Sequence, residues 1–178
     1  MKERQNEEWR SVMVHTMTGT FRAQRSLAER AIGQLEEPDM FRTLDEEENS
    51  IAILMKHVGG NLRSRWSDPF TTDGEKPDRN RDAEFETSGD DDVAAVSRTW
   101  DVGWSVLNQT LDALSPGDFE RPLTIRGETV TLLDALLRSL AHTAQHVGQI
   151  TLLARHWRGS AWQTLSIPRP PRGPEGSE

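Results

Sequence analysis

His142 and His146 stand four residues apart in LLDALLRSLAHTAQHVGQITLLARHW, a stretch whose apolar residues recur at helical spacing. Positions i and i+4 are neighbours on a helix, with Cβ atoms about 5–6 Å apart. Two imidazoles so placed can reach one divalent cation, each with a nitrogen about 2.0–2.1 Å from it. On a helical wheel the pair shares its side with Ala135 and Leu153, at the edge of the apolar arc. It should therefore face a neighbouring helix or the mouth of a cleft. A third ligand has to come from another element. His57 is the best candidate, because Ile53 and Leu54 one turn earlier set it beside a buried face. The same spacing also suits two partly buried histidines hydrogen-bonded to backbone or carboxylates, and His57 taken alone suits a satisfied core histidine. His15 has no partner at ligand spacing and reads as surface or satisfied core. His156 falls near a helix C-terminus, where a cation interacts well with the dipole.

Composition removes several other chemistries. The chain has no cysteine, which excludes disulfides, thiolate ligands and cysteine nucleophiles. It has no tyrosine, so one common general acid is absent. The net charge is −8, from 21 basic and 29 acidic side chains. An acidic chain repels phosphate backbones, and no nucleic-acid partner is expected. No stretch approaches the ~20 apolar residues that span a bilayer. The opening MKERQNEEWR lacks the apolar centre of a signal peptide, so a cytoplasmic location without membrane contact is expected.

The elements that must position the histidines are helices. Trp9, Val12, Met13, Met17, Phe21, Ala28, Ala31, Ile32 and Leu35 predict a first helix over residues 7–37, stopped by Pro38. Asn49 or Ser50 caps a second over 50–66, with Ile51, Met55, Val58, Leu62 and Trp66 in one stripe. Its Gly59-Gly60 pair costs roughly 1 kcal/mol per glycine against alanine, which points to close backbone approach or a local bend. Residues 67–90 lack periodicity and read as a long loop, either disordered or bordering a site or interface. Val93, Val96, Trp100, Trp104, Leu107, Leu111 and Leu114 predict a third helix over 91–115. Residues 121–130 alternate around Arg126-Gly127 as a small hairpin, although arginine is not the favoured first turn residue. Thr131 and Asp134 resemble a capping box that opens a fourth helix reaching about Trp157. Its arc, from Leu132 through Leu136, Leu137 and Leu140 to Ile150, is wide enough to pack on more than one side. The six tryptophans read as core and interface anchors. These elements predict an all-α four-helix bundle over residues 1–167 and a Pro/Gly-rich, disordered tail over 168–178. The long connections leave the helix order open.

Helix-borne His57, a long interval and then His142-x-x-x-His146 on the last helix resemble the DinB/YfiT-like superfamily, over about residues 7–167. The stretch KHVGGNLRSRWSDPFTTDGEKPDRNRDAEFE is the nearest match, to a branch whose biochemical function is not established. The TLSIPR segment at 164–169 is similar to that branch, whereas the PPRGPEGSE that follows departs from it. The resemblance implies a four-helix bundle with a crossed, non-sequential helix order. It also implies a homodimer and a divalent metal held by a histidine triad, which falls here on His57, His142 and His146. Three imidazoles leave at least one metal position open, as in catalytic rather than structural sites. Imidazole donors suit zinc, nickel, copper and iron, with zinc or nickel foremost. Members of the superfamily include S-transferases and isomerases that use thiols such as bacillithiol or mycothiol. The resemblance therefore suggests a metal-activated thiol, supplied as a small-molecule cosubstrate, acting on an electrophile. No general base is identifiable from sequence. Two alternatives stand beside the enzyme: a metal-binding or stress-associated module without turnover, and a dimeric bundle whose histidines are empty.

Overall fold

The computed structural model describes residues 2–89 and 91–167. Its helices are α1 (Lys2–Ile32), α2 (Ile51–Trp66), α3 (Val93–Ala113) and α4 (Leu132–Arg158). A two-stranded antiparallel hairpin, β1 (Pro122–Ile125) and β2 (Glu128–Thr131), precedes α4. The expected tail at 168–178 lies outside the described residues. Side-chain oxygens set the helix starts by accepting free first-turn N–H groups. Ser50 accepts from Ile53, Asp92 from Ala95 and Thr131 from Asp134, at 3.2, 2.6 and 3.1 Å. The Thr131 hydroxyl also donates to the Asp134 carboxylate at 2.7 Å, closing the reciprocal cap anticipated from their spacing.

The ring order is crossed. α2 packs mainly on α3 and then on α4, while α1 packs mainly on α4 and then on α3. Consecutive α1 and α2 therefore lie across the bundle from each other, as do α3 and α4. This arrangement makes α2 and α4 neighbours, which is what a site shared by His57 and the last-helix pair needs. The core between them is filled by Phe21, Trp66, Trp104, Leu107, Leu132, Leu136 and Ile150, all essentially inaccessible to water. Where α2 crosses α3 the backbones nearly touch. A Cβ on Gly103 would collide with the Gly59 backbone, and one on Gly59 with the backbone of Thr99 and Trp100. Gly59 is thus the close approach that its cost in a helix interior implied.

Several expectations need correction. α1 ends at Ile32, not at 37. Gly33 N–H bonds back to Glu29, and the next two amides, Gln34 and Leu35, switch to tighter i→i−3 bonds that leave the helix. Pro38 lies in a separate 3-10 turn, Glu37–Phe41. Leu35 keeps helical spacing because it still packs on the core from the segment that follows α1. Trp9 and Val12 are 65% and 54% exposed, and Leu137 is 49% exposed. They sit where the apolar stripes widen past what neighbouring helices cover. Of the tryptophans, Trp66, Trp100 and Trp104 anchor the core.

Residues 67–89 follow a definite path against α2 and the hairpin, so disorder does not describe them. Asp73 accepts from the backbone N–H groups of Glu75, Arg126 and Gly127, and Gly74 N–H bonds to Thr124. The Asp73 contacts explain how Arg126 tolerates φ of +54°, with Gly127 at +77°, in the tight turn. Among the described residues, no helix is long and apolar enough to cross a membrane.

Candidate metal centre

His57 comes from the middle of α2, and His142 and His146 from successive turns of α4. One ring nitrogen from each lies within 4.8 Å of the other two. His57 Nε2 is 3.0 Å from His142 Nε2, and His146 Nε2 is 3.2 Å from the same atom. Tetrahedral ligands at zinc–nitrogen distances would sit about 3.3–3.4 Å apart, so the cluster is near the size a metal requires. His57 is buried, and the other two are partly buried. The Phe85 ring lies 4.6 Å from the His57 ring, between centroids, and covers that side.

The outer ring atoms decide where the lone pairs point. His57 Nδ1 is 2.9 Å from a Glu84 carboxylate oxygen. An ionised carboxylate only accepts, so Nδ1–H donates, and in the neutral imidazole Nε2 is then the bare nitrogen. His146 Nδ1–H donates likewise to the Gln149 carbonyl oxygen at 2.7 Å. Two bare Nε2 atoms thus converge on His142 Nε2. A proton there could serve one of them and would leave the other facing nothing to accept from. A divalent cation satisfies all three at once. His142 Nδ1 is buried without a hydrogen-bond partner, so nothing fixes its tautomer against a ligand role at Nε2.

Glu84 is itself built in. It lies on a 3-10 turn, Asp82–Phe85, that packs on α2. Arg79 grips its carboxylate with two N–H groups, both at 2.8 Å. Burial alone would raise the Glu84 pKa, but the hydrogen bonds from Arg79 and His57 outweigh it and hold the group below the ordinary range. Gly60, three residues after His57, leaves room for this carboxylate, because a Cβ there would strike Glu84 Oε1. The second glycine of the pair is therefore about the site and the first about helix packing. We expect Glu84→Gln to weaken metal affinity about 10–100-fold, as loss of a carboxylate behind a ligand histidine usually does. Competition against a chromophoric chelator measures it.

Burial, then the neighbouring His146 and His57, push the His142 pKa down to about 4. Burial also lowers that of His146, against the opposing hydrogen bond to Gln149. Both rings are thus ready as neutral donors at neutral pH. The sign for stability follows from linkage. The unfolded chain takes up protons near pH 6.5 that the folded metal-free protein refuses until about pH 4. Metal-free protein should lose stability as pH falls through that window, and His142→Gln should flatten the loss. Denaturant titrations across the window check it.

The comparisons with known proteins name a family but no chemistry. A family described as "Protein of unknown function (DUF1572)" matches residues 8–171. The chain belongs to the DUF1572 family. No curated protein and no solved structure matches it. The DUF1572 match covers α2, α3, α4 and all but the first six residues of α1, and includes His57, His142 and His146.

All three histidines singled out from sequence come together, while His15 and His156 stay apart and exposed. Sequence reasoning missed Glu84, Arg79 and Gln149. Gln149 was findable, as it lies one turn beyond His146. Glu84 carried no local signal, because its partner is 27 residues away in the chain.

Proposed function

We infer that the chain is a divalent-metal-binding protein of the DinB-like kind and acts as a metal-dependent S-transferase on small electrophiles. Zinc or nickel is the preferred ion. The observation that carries this reading is the convergence of three Nε2 atoms, two of them oriented from behind by Glu84 and Gln149. His57, His142 and His146 would hold the ion, and three nitrogen donors leave a position for an exchangeable ligand. A bound divalent cation lowers the proton affinity of a coordinated thiol and supplies a nucleophile near neutral pH. The thiol sulfur then forms the new bond to an electrophilic carbon. Its proton passes to solvent, and a halide leaves or an epoxide oxygen is protonated. The chain contributes no thiol of its own, so the sulfur belongs to a cosubstrate.

A cavity of about 560 Å³ opens beside His57 and His142, within the range of small-molecule sites. The resemblance to DinB-like proteins further implies a homodimer in the cytoplasm, and light scattering reads the oligomeric state. The test of function uses untagged, metal-loaded protein with a small thiol and a chloro-nitroaromatic compound. Turnover above that of His57→Ala supports the transferase. Equal rates with stoichiometric metal in the wild type would leave the non-catalytic metal-binding module. Absence of metal under all loading conditions would remove both.

A further inference from the structure

The walls of the cavity beside the histidines carry a charge opposite to that of the whole protein. In a chain of net charge −8, five arginines line it: Arg65, Arg79, Arg81, Arg126 and Arg138. One carboxylate, Glu128, lines it with them. Part of this charge is already satisfied. Glu84 takes Arg79 through two hydrogen bonds, and Glu75 bridges Arg79 and Arg126 at 3.2 and 3.0 Å. Beyond the electrostatic pull of Glu75 and Asp73 on Arg65, Arg65, Arg81 and Arg138 are not. Among the described residues their side chains make no hydrogen bond or ion pair, and Arg81 only lies over the Phe85 ring at 5.3 Å.

These three guanidiniums come from three separate elements, namely α2, the loop before the Asp82–Phe85 turn, and α4. Arg65 lies two turns beyond His57, and Arg138 one turn before His142, so each shares the face of its helix with a cluster histidine. Guanidinium groups present planar forks that match carboxylate and phosphate oxygens. Like charges gathered around one concave space repel one another unless an anion joins them.

We propose that this cavity is an anion subsite, which binds a small molecule bearing at least two carboxylate or phosphate groups and holds it beside the three-histidine cluster. The proposal rests on the reading of that cluster as the reactive centre, and it names the charge class of the molecule that reaches it. Arg65, Arg81 and Arg138 supply the donors, while Arg126 is already held by Glu75. The bundle core stays uninvolved, because these side chains leave it for the cavity. A small anion fits the volume, and a nucleic-acid backbone is disfavoured by the acidic character of the protein as a whole.

The test titrates full-length protein with succinate and, separately, with inorganic pyrophosphate, by calorimetry. Each titration is run on metal-free and on zinc-loaded protein. Saturable binding is expected, and Arg65→Gln/Arg138→Gln should weaken it by about tenfold or more. Neither side chain makes a hydrogen bond or close ion pair that the change would break, so that variant should melt close to the wild type. Arg63→Gln/Arg98→Gln removes the same charge outside the cavity and should change affinity by less than about twofold. Preference for succinate identifies a carboxylate ligand, and preference for pyrophosphate a phosphate ligand. Equal weakening by both double variants, or no saturable binding of either anion, overturns the proposal. His142→Ala keeps the two readings separable: it should lose metal and retain the anion. Anion binding that persists without metal supports the subsite whatever becomes of the transferase. Intact metal binding with no anion binding rejects the subsite alone.

Discussion

His142→Ala is expected to abolish stoichiometric binding of zinc or nickel while leaving helical content unchanged. His142 Nε2 is the atom that both other cluster nitrogens approach, at 3.0 and 3.2 Å, so its removal leaves two donors and no common centre. Two neutral imidazoles hold a divalent ion poorly, and the expected loss is at least about 100-fold in affinity. The fold should survive because the cluster sits beside the core and not within it. Ala135, Leu136 and Val147 on the same helix belong to the apolar core cluster, which the change leaves in place. The change also removes a buried nitrogen that has no hydrogen-bond partner, so metal-free protein should be as stable or slightly more stable. Elemental analysis with far-ultraviolet circular dichroism decides it. Retention of one metal per chain would place the ion elsewhere, and loss of helix would make the site structural.

Gly103→Ala should produce the largest loss of stability. Its new Cβ would meet the Gly59 backbone, and backbone cannot swing aside as a flexible side chain can. α2 and α3 would have to separate along their most extensive contact, which carries Trp100, Trp104 and Leu107 in the core. Overpacking of this kind costs about 1–3 kcal/mol. For a chain of this length that lowers the melting temperature by roughly 2–4 °C per kcal/mol. Gly19→Ala is the control. It adds the same methyl group to a helix interior with nothing within 4 Å, and it should be stabilising by up to about 1 kcal/mol. Because α2 also carries His57, the Gly103 variant should weaken metal binding indirectly. Glu84→Gln, by contrast, weakens it with the melting temperature far less affected. Parallel melts and chelator competitions separate the two routes.

Local rules made the helices, their caps and the hairpin legible. Thr131 and Asp134 announced the start of α4, Ser50 that of α2, and the alternation around Arg126-Gly127 the two strands. Each of these signals acts within four residues, so the chain itself carries it. The i, i+4 pair on α4 was legible for the same reason. The helix order was not derivable from periodicity, because apolar stripes of similar width can pack in either cyclic arrangement. It entered as an expectation from resemblance. The order of residues 67–89 was not legible in the sequence, which left disorder and a site-bordering loop both open, since polar anchors replaced the apolar repeat that marks order. Asp73 fixes the hairpin turn and Ser64 bonds to Gly74 and Lys76, contacts that no window of sequence reveals.

Sequence alone determined which residues are able to ligate a metal and on which helix faces they stand. Helical periodicity, five histidines and the absence of cysteine leave few choices of nitrogen or sulfur donor. Tertiary structure decided that α2 and α4 are neighbours, that Glu84 backs His57, and that five arginines surround one cavity. Those outcomes depend on which helices share a border and on where a loop of polar residues comes to rest. Both are settled by packing between segments far apart in the chain, where local spacing has no reach.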